Sequence, residues 1–258
     1  TGQLTAAGYD VYAYHQFGAG LSNRADDVVD YTVARHVADL EAIRTTIGAE
    51  QLTLVGASWG GQLVANYLAA HPQRVARAVV SGPANIWSPG FPGNTDLTPG
   101  GQRDQQGALT RRPRFLLAQV ILAAAGPRAT QVLLDERQLD GEYEALVQEL
   151  DMKAGCADNP AHVRSPREQP HGFGFWVNAM TVHDAEQIDD PRPALRGLPT
   201  ELLVLRGECD YLTRQVADEY RQLLPNAVLV EVKEAGHEIE ADQPEQYHHH
   251  VTTFLAAD

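Results

Sequence analysis

Lysine is almost absent from this chain: Lys153 and Lys233 are the only two, so nearly all of the 20 basic residues are arginine, set against 34 acidic ones. The net charge of −14 disfavours nucleic acid and anionic membrane surfaces as partners, because phosphate binding depends on clustered Lys and Arg. Cysteine is as scarce. Cys156 and Cys209 are too few for a disulfide framework, and their spacing does not decide whether they pair. A long apolar run is missing too. The longest, FLLAQVILAAAG from Phe115, falls short of the roughly 20 residues of a membrane-spanning helix and reads as a buried or interface helix. No repeat or low-complexity tract breaks the chain, and no metal-ligand spacing is found. His248, His249 and His250 are consecutive, so on a helix they splay by about 100° each and cannot share one ion. The carboxylates between Asp135 and Asp151 read as a solvated helix face. No metal and no cofactor is expected, and the compartment is left open, the cytoplasm being the nearer expectation.

What the chain does have is the balance of a globular protein: 258 residues, 43% hydrophobic and 21% charged. YDVYAYHQFGAG from Tyr9 alternates and then meets glycines, as a strand running into a turn does. Val33, Val37, Leu40, Ile43 and Ile47 recur at helical spacing, with Gly48 as a stop. LTLVGA from Leu52, a helix ending at Pro72, and RAVVSG from Arg77 continue the rhythm. Strands with so little polar alternation imply a mostly parallel sheet covered on both faces, an α/β fold. The rhythm breaks at the Pro- and Gly-rich stretch from Pro83, passes through helical candidates at Phe115–Ala125 and Glu142–Met152, and crosses another loop-like region ending at Trp176. It resumes with strands at TELLVLRG from Thr200 and AVLVEVK from Ala227, and a last helix from about Asp242. Residues 1–83 and 199–258 thus read as two parts of one core, and residues 84–198 as a helical insertion.

Three residues fall just beyond three of these strands: Ser58 after LTLVGA, Asp210 after LLVLRGEC and His237 after LVEVKEAG. In an open parallel sheet the carboxyl ends of the strands form one site, so residues far apart in sequence converge there. Serine barely ionises at neutral pH and needs a general base; His237 supplies one, and Asp210 fixes its tautomer. Ser58 is bracketed by Gly56 and Gly60, whose small size suits a tight strand-turn-helix elbow, and the backbone N–H of Trp59 is placed to meet an oxyanion. Glu208 is a second candidate for the acid. With Ser58 in the nucleophile position, the aspartate-based chemistry of dehalogenases and epoxide hydrolases is disfavoured.

GASWGG, HPQRV from His71, GAGLS from Gly18, GECD from Gly207 and EAGHEIEADQPEQY from Glu234 together resemble the alpha/beta-hydrolases, and among them the proline iminopeptidase group. The resemblance covers nearly the whole chain outside the insertion. It implies a helical cap between the sixth and seventh strands, hydrolysis through an acyl-enzyme without a cofactor, and a small-molecule or short-peptide substrate. Two stretches depart from that group. His15-Gln16-Phe17-Gly18 stands where it has Asp-Gln-Arg-Gly, and the stretch His171 to Trp176 lacks the acid that would bind a substrate amine. A neutral pocket lined by Phe173, Phe175 and Trp176, suited to an ester or a less polar amide, competes with the aminopeptidase reading. A hydrolase-like binding protein without activity is the third reading. The resemblance also implies strands before Tyr9, one of which carries the second oxyanion donor. The expectation is that an upstream segment, a cleaved companion or a partner chain supplies them.

Overall fold

The computed structural model describes residues 2–90, 111–151, 156 and 173–256. Four strands, β1 (Leu52–Ala57), β2 (Val75–Ser81), β3 (Glu201–Gly207) and β4 (Ala227–Val232), form one sheet in the order β1-β2-β3-β4. All three pairings are parallel. The near-continuous apolar character of β2 and β3 has its reason here, since both of their faces are covered. Ala78, Val80, Leu202 and Val204 pack with Val64, Tyr67 and Leu68 on one side, whereas Val79, Leu203 and Leu205 pack with Ile239, Val251 and Leu255 on the other.

The helices that cover the sheet follow from these two faces. α1 (Gly2–Ala6) packs Leu4 against the cluster that holds Val251 and Leu255 of the chain's last helix. α2 (Val33–Thr46) starts at Thr32, whose side chain accepts the Arg35 N–H, and stops at Gly48 with a φ of +72°. α3 (Trp59–Ala70) leaves β1 directly and contributes Val64, Ala65, Tyr67 and Leu68 to the first core. After β3 and β4 come α9 (Arg214–Leu223), α10 (Ile239–Asp242) and α11 (Pro244–Ala256).

Between β2 and β3 stand α4 (Pro113–Ala125), α5 (Pro127–Leu133), α6 (Glu136–Asp151), α7 (Phe175–Ala185) and α8 (Arg192–Leu195). Two of them open on proline, which fits a first turn that has no N–H acceptor to offer. α4, α6 and α7 build a separate core of Phe115, Leu139, Leu146, Phe175, Trp176 and Met180, closed by Val28 and Tyr31 from the segment before α2. α8 belongs to the sheet layer instead, because Leu195 is buried against the first core. The insertion's entry and exit are tied to each other: Trp87 donates its indole N–H to the Ile188 carbonyl at 3.0 Å, and Arg192 stacks over Trp87 while pairing with Asp190 and Glu219.

Several expectations need correction. Residues 9–16 form no strand. Extended backbone becomes a strand only by laddering with a neighbour, and among the described residues β1 is paired on its β2 side alone. Tyr12 and Tyr14 are accordingly exposed. The helix expected at Phe115 is present as α4; of the two readings, buried or interface, Phe115 and Ala118 are buried while Leu117 and Val120 are exposed, so one side alone is covered. The loop expected through Trp176 ends earlier, since Phe175 already begins α7. Much of the loop expected from Pro83, and His171 and Gly172, lie outside the described residues. No helix of the described residues is long and apolar enough to cross a membrane.

Candidate active site

β1 ends in a glycine-serine turn whose geometry is dictated at close range. Ser58 has φ +51° and ψ −117°, a conformation that L-residues rarely adopt and that surrounding contacts must hold. They do so on both sides of the peptide: the Ser58 N–H donates to the Ser81 carbonyl at 3.0 Å, and its carbonyl accepts the N–H groups of Gly61 at 2.9 Å and Ala84 at 3.0 Å. The turn is thereby sewn to the end of β2. A Cβ on Gly56 would lie 2.4 Å from the Gly60 carbonyl oxygen, so the first turn of α3 can fold back over β1 only if position 56 is glycine. Gly60 itself has open space where a Cβ would go; the second glycine that sterics demand is Gly61, against Pro83 at 2.6 Å.

Trp59 opens α3, where helix geometry gives its N–H no partner. Its indole N–H donates to the Gln16 side-chain oxygen at 3.1 Å, and its ring meets His36 edge-on. Gln16, in the His-Gln-Phe-Gly turn already notable in the sequence, is thereby tied to the residue that follows Ser58. That turn continues under the insertion, because a Cβ on Gly174 would overlap the Gly18 carbonyl.

Beyond β3 and β4, Asp210 and His237 meet. The His237 Nδ1 lies 2.9 Å from Asp210 Oδ1, with both side chains almost wholly buried, and the same carboxylate oxygen accepts the Leu212 N–H at 2.9 Å. The carboxylate has both its donors in hand before any ligand arrives, which is how a buried charge is tolerated. Tyr211 lays its ring on the imidazole at 4.5 Å between centroids. Gly82, with φ +48°, comes so near that a Cβ there would sit 3.2 Å from both Asp210 Oδ2 and His237 Nδ1. Glu208, the other candidate acid, is exposed; it accepts the Glu234 N–H at 3.1 Å and pairs with Lys233 at 3.0 Å, which together hold its carboxyl below the ordinary range.

A cavity of about 420 Å³ opens beside this pair, its wall including Ala57, Ser81, His237, Ile239 and Tyr247. The strand end that carries Ser58 and the imidazole thus face one space. Phe173 is exposed, whereas Phe175 and Trp176 lie in the core of the insertion against Phe115, and none of the three lines that cavity. A larger hollow of about 510 Å³ between α4 and α6 is framed by arginines and contains none of Ser58, Asp210 and His237. Among the described residues no group of three His, Cys, Asp or Glu side chains is placed to hold a metal. Four of the insertion's carboxylates are paired with arginines: Glu136 and Asp140 with Arg24, Glu142 with Arg114, Glu149 with Arg112. Cys156 and Cys209 form a disulfide, Cα to Cα 5.2 Å.

A family model for the alpha/beta hydrolase fold matches residues 3–244. The chain belongs to the alpha/beta-hydrolase fold family. Its similarity to individual relatives is more distant: 27% identity over 243 residues to a proline iminopeptidase of Lactobacillus delbrueckii subsp. bulgaricus, covering 86% of this chain and 71% of that one. A 2-hydroxymuconate semialdehyde hydrolase of Pseudomonas putida is 26% identical over 247 residues, covering 95% of this chain and 76% of the relative. Among solved structures, an alpha/beta fold family hydrolase from Bacillus anthracis str. Sterne superposes with a TM-score of 0.66 at 18% identity, covering 96% of this chain and 82% of that one. These are the surroundings of a hydrolase-type enzyme.

Proposed function

We propose that this alpha/beta-hydrolase is a serine hydrolase that cleaves an ester or amide bond through an acyl-enzyme. Ser58 attacks the carbonyl carbon as His237 takes its proton; the tetrahedral oxyanion is met by the Trp59 N–H at the head of α3, where the helix dipole adds to the field. The imidazolium, stabilised by Asp210, then protonates the leaving group, and water repeats the sequence to free the acid. The observation that carries this reading is the buried 2.9 Å contact of His237 with Asp210, at the strand ends adjoining the strained Ser58 turn. The haloalkane dehalogenase relative, 29% identical over 167 residues, does not move it, because a serine at position 58 cannot form that chemistry's aspartyl ester.

The proline iminopeptidase relative favours a second reading, an aminopeptidase under a helical cap. A substrate ammonium needs a carboxylate left unpaired for it. The carboxylate that meets the aromatic stretch is Asp140, and it is engaged by the Phe175 N–H at 2.7 Å and by Arg24 at 3.0 Å. This favours the neutral ester or amide. The deciding experiment compares turnover of a p-nitrophenyl ester with that of a prolyl arylamide, alongside intact-mass detection of a fluorophosphonate adduct. One adduct, absent from Ser58→Ala together with at least about 10³-fold of the ester activity, is the expected result. Strong arylamide turnover that vanishes when the substrate amine is acetylated would transfer the conclusion to the aminopeptidase.

A further inference from the structure

Cys209 immediately precedes Asp210, and its partner Cys156 comes from the insertion. The disulfide therefore joins the insertion covalently to the loop that carries the acid. Its surroundings are the seam between the acid loop and the histidine loop. The Cys209 N–H donates to the Ala235 carbonyl at 2.9 Å, Cys156 Sγ lies 3.6 Å from that same oxygen, and Gly207 approaches Gly236 so closely that a Cβ there would overlap its carbonyl. Ala235 and Gly236 lead directly into His237. The other ties on the acid loop are non-covalent: Leu212 N–H to Asp210 Oδ1, and the Arg206 guanidinium reaching the Asp210 and Leu212 carbonyls at 3.5 and 3.4 Å.

We infer that the Cys156–Cys209 disulfide positions the Asp210–His237 pair, and that its reduction slows catalysis in a chain that stays folded. The inference rests on the serine-hydrolase reading. Cys209 is exposed, so a reductant can reach it. A dithiol such as dithiothreitol attacks one sulfur as its thiolate, the Sγ–Sγ bond breaks, and the mixed disulfide is resolved by the second thiol; two cysteine thiols and one cyclic disulfide result. Freed of that bond, the peptide before Asp210 is held at the seam by hydrogen bonds alone. Displacement of a catalytic group by about 1 Å is enough to cost a large factor in rate. Cys156 and Cys209 thus act through Asp210, as positioning residues.

The test uses the full chain, oxidised, dithiothreitol-reduced and reoxidised, with free thiols counted by alkylation and intact mass. Three readouts are taken: the fraction of chains labelled by a fluorophosphonate at saturation, the rate constant of labelling, and kcat and KM for a p-nitrophenyl ester. The expected result is an unchanged labelled fraction, a labelling rate constant and kcat lowered at least about tenfold, and KM within about twofold, since a positioning defect acts on the transition state. Cys156→Ser should match the reduced protein and no longer respond to the dithiol, and reoxidation should restore the unsubstituted chain. Unchanged rate constants in a chain with both thiols free overturn the inference, as does a loss carried wholly by a smaller labelled fraction, which is the mark of simple stabilisation. If the oxidised chain never labels at Ser58, the hydrolase reading falls and this inference with it; redox-independent labelling removes the inference alone.

Discussion

Gly82 shows how tightly single residues are constrained around the Asp210–His237 contact. Its φ of +48° is one an L-side chain resists, and the space for a Cβ is taken by the His237 carbonyl at 2.9 Å as well as by the two side chains. Gly82→Ala should therefore lower stability by about 1–3 kcal/mol and also reduce kcat, read from a urea midpoint and ester turnover on the same preparation. Asp210→Asn makes a contrasting pair. It keeps the volume but removes the charge and presents a donor where an acceptor is needed, so kcat should fall by about 10⁴-fold while the far-UV spectrum and urea midpoint change little. Ser58, Asp210, His237 and Gly56 were legible in the sequence because each lies at the end of an apolar run or inside a turn where its chemistry is unusual. Gly82 was legible only as a strand stop. Nothing in one dimension says that its missing Cβ makes room for an aspartate more than a hundred positions away, nor that Gly61 and not Gly60 is the helix glycine that sterics require.

At the scale of elements, periodicity located the buried helices and strands but not those whose existence depends on a neighbour. The residues after Tyr9 have an alternating pattern and no ladder, while α7 was hidden behind a stretch whose prolines and glycines read as loop. The half-exposed α4 shows why its run left buried and interface helix both open: an apolar run shows what can be buried, and only packing decides which side is. The contact of α2 with α3 offers a test of electrostatics between elements. Glu41 receives two hydrogen bonds from Arg44 and one from the Tyr67 hydroxyl at 2.6 Å, and these lower its carboxyl from an ordinary 4.5 to about 2. An acid whose folded value is depressed stabilises the fold fully above its unfolded value and loses that contribution as pH falls through the folded one. The urea midpoint should thus decline between pH 4.5 and 2 in the unsubstituted chain, and decline less steeply in Glu41→Gln, which should already be the less stable protein at pH 7. A parallel decline in both would remove the assignment.

For the whole molecule, the disulfide is the long-range covalent constraint, closing a loop across 53 positions. Chain entropy alone gives such a crosslink about 4 kcal/mol, so reduction should lower the melting temperature by roughly 8–16 °C for a protein of this size, measured by calorimetry with and without a dithiol. The sequence held both cysteines but not the pairing, because proximity between residues so far apart is created by the fold. The strand order has a kinetic meaning as well. β1 and β2 are near neighbours in sequence and bring together Ser58, Ser81 and Gly82; β3 and β4 are likewise near neighbours and bring together Asp210 and His237. Between them lies the entire insertion, and the β2–β3 ladder is the pairing that spans it. Local pairings form before distant ones, because the entropy of closing a long loop must be met before its contacts are gained. The Ser58 turn and the Asp210–His237 contact, which the proposed reading makes nucleophile and base, are formed in separate parts of the chain, and the β2–β3 ladder joins them in one sheet. The folding step that completes the sheet is also the one that gathers the candidate site, so a chain stalled before it holds Ser58 apart from the Asp210–His237 contact.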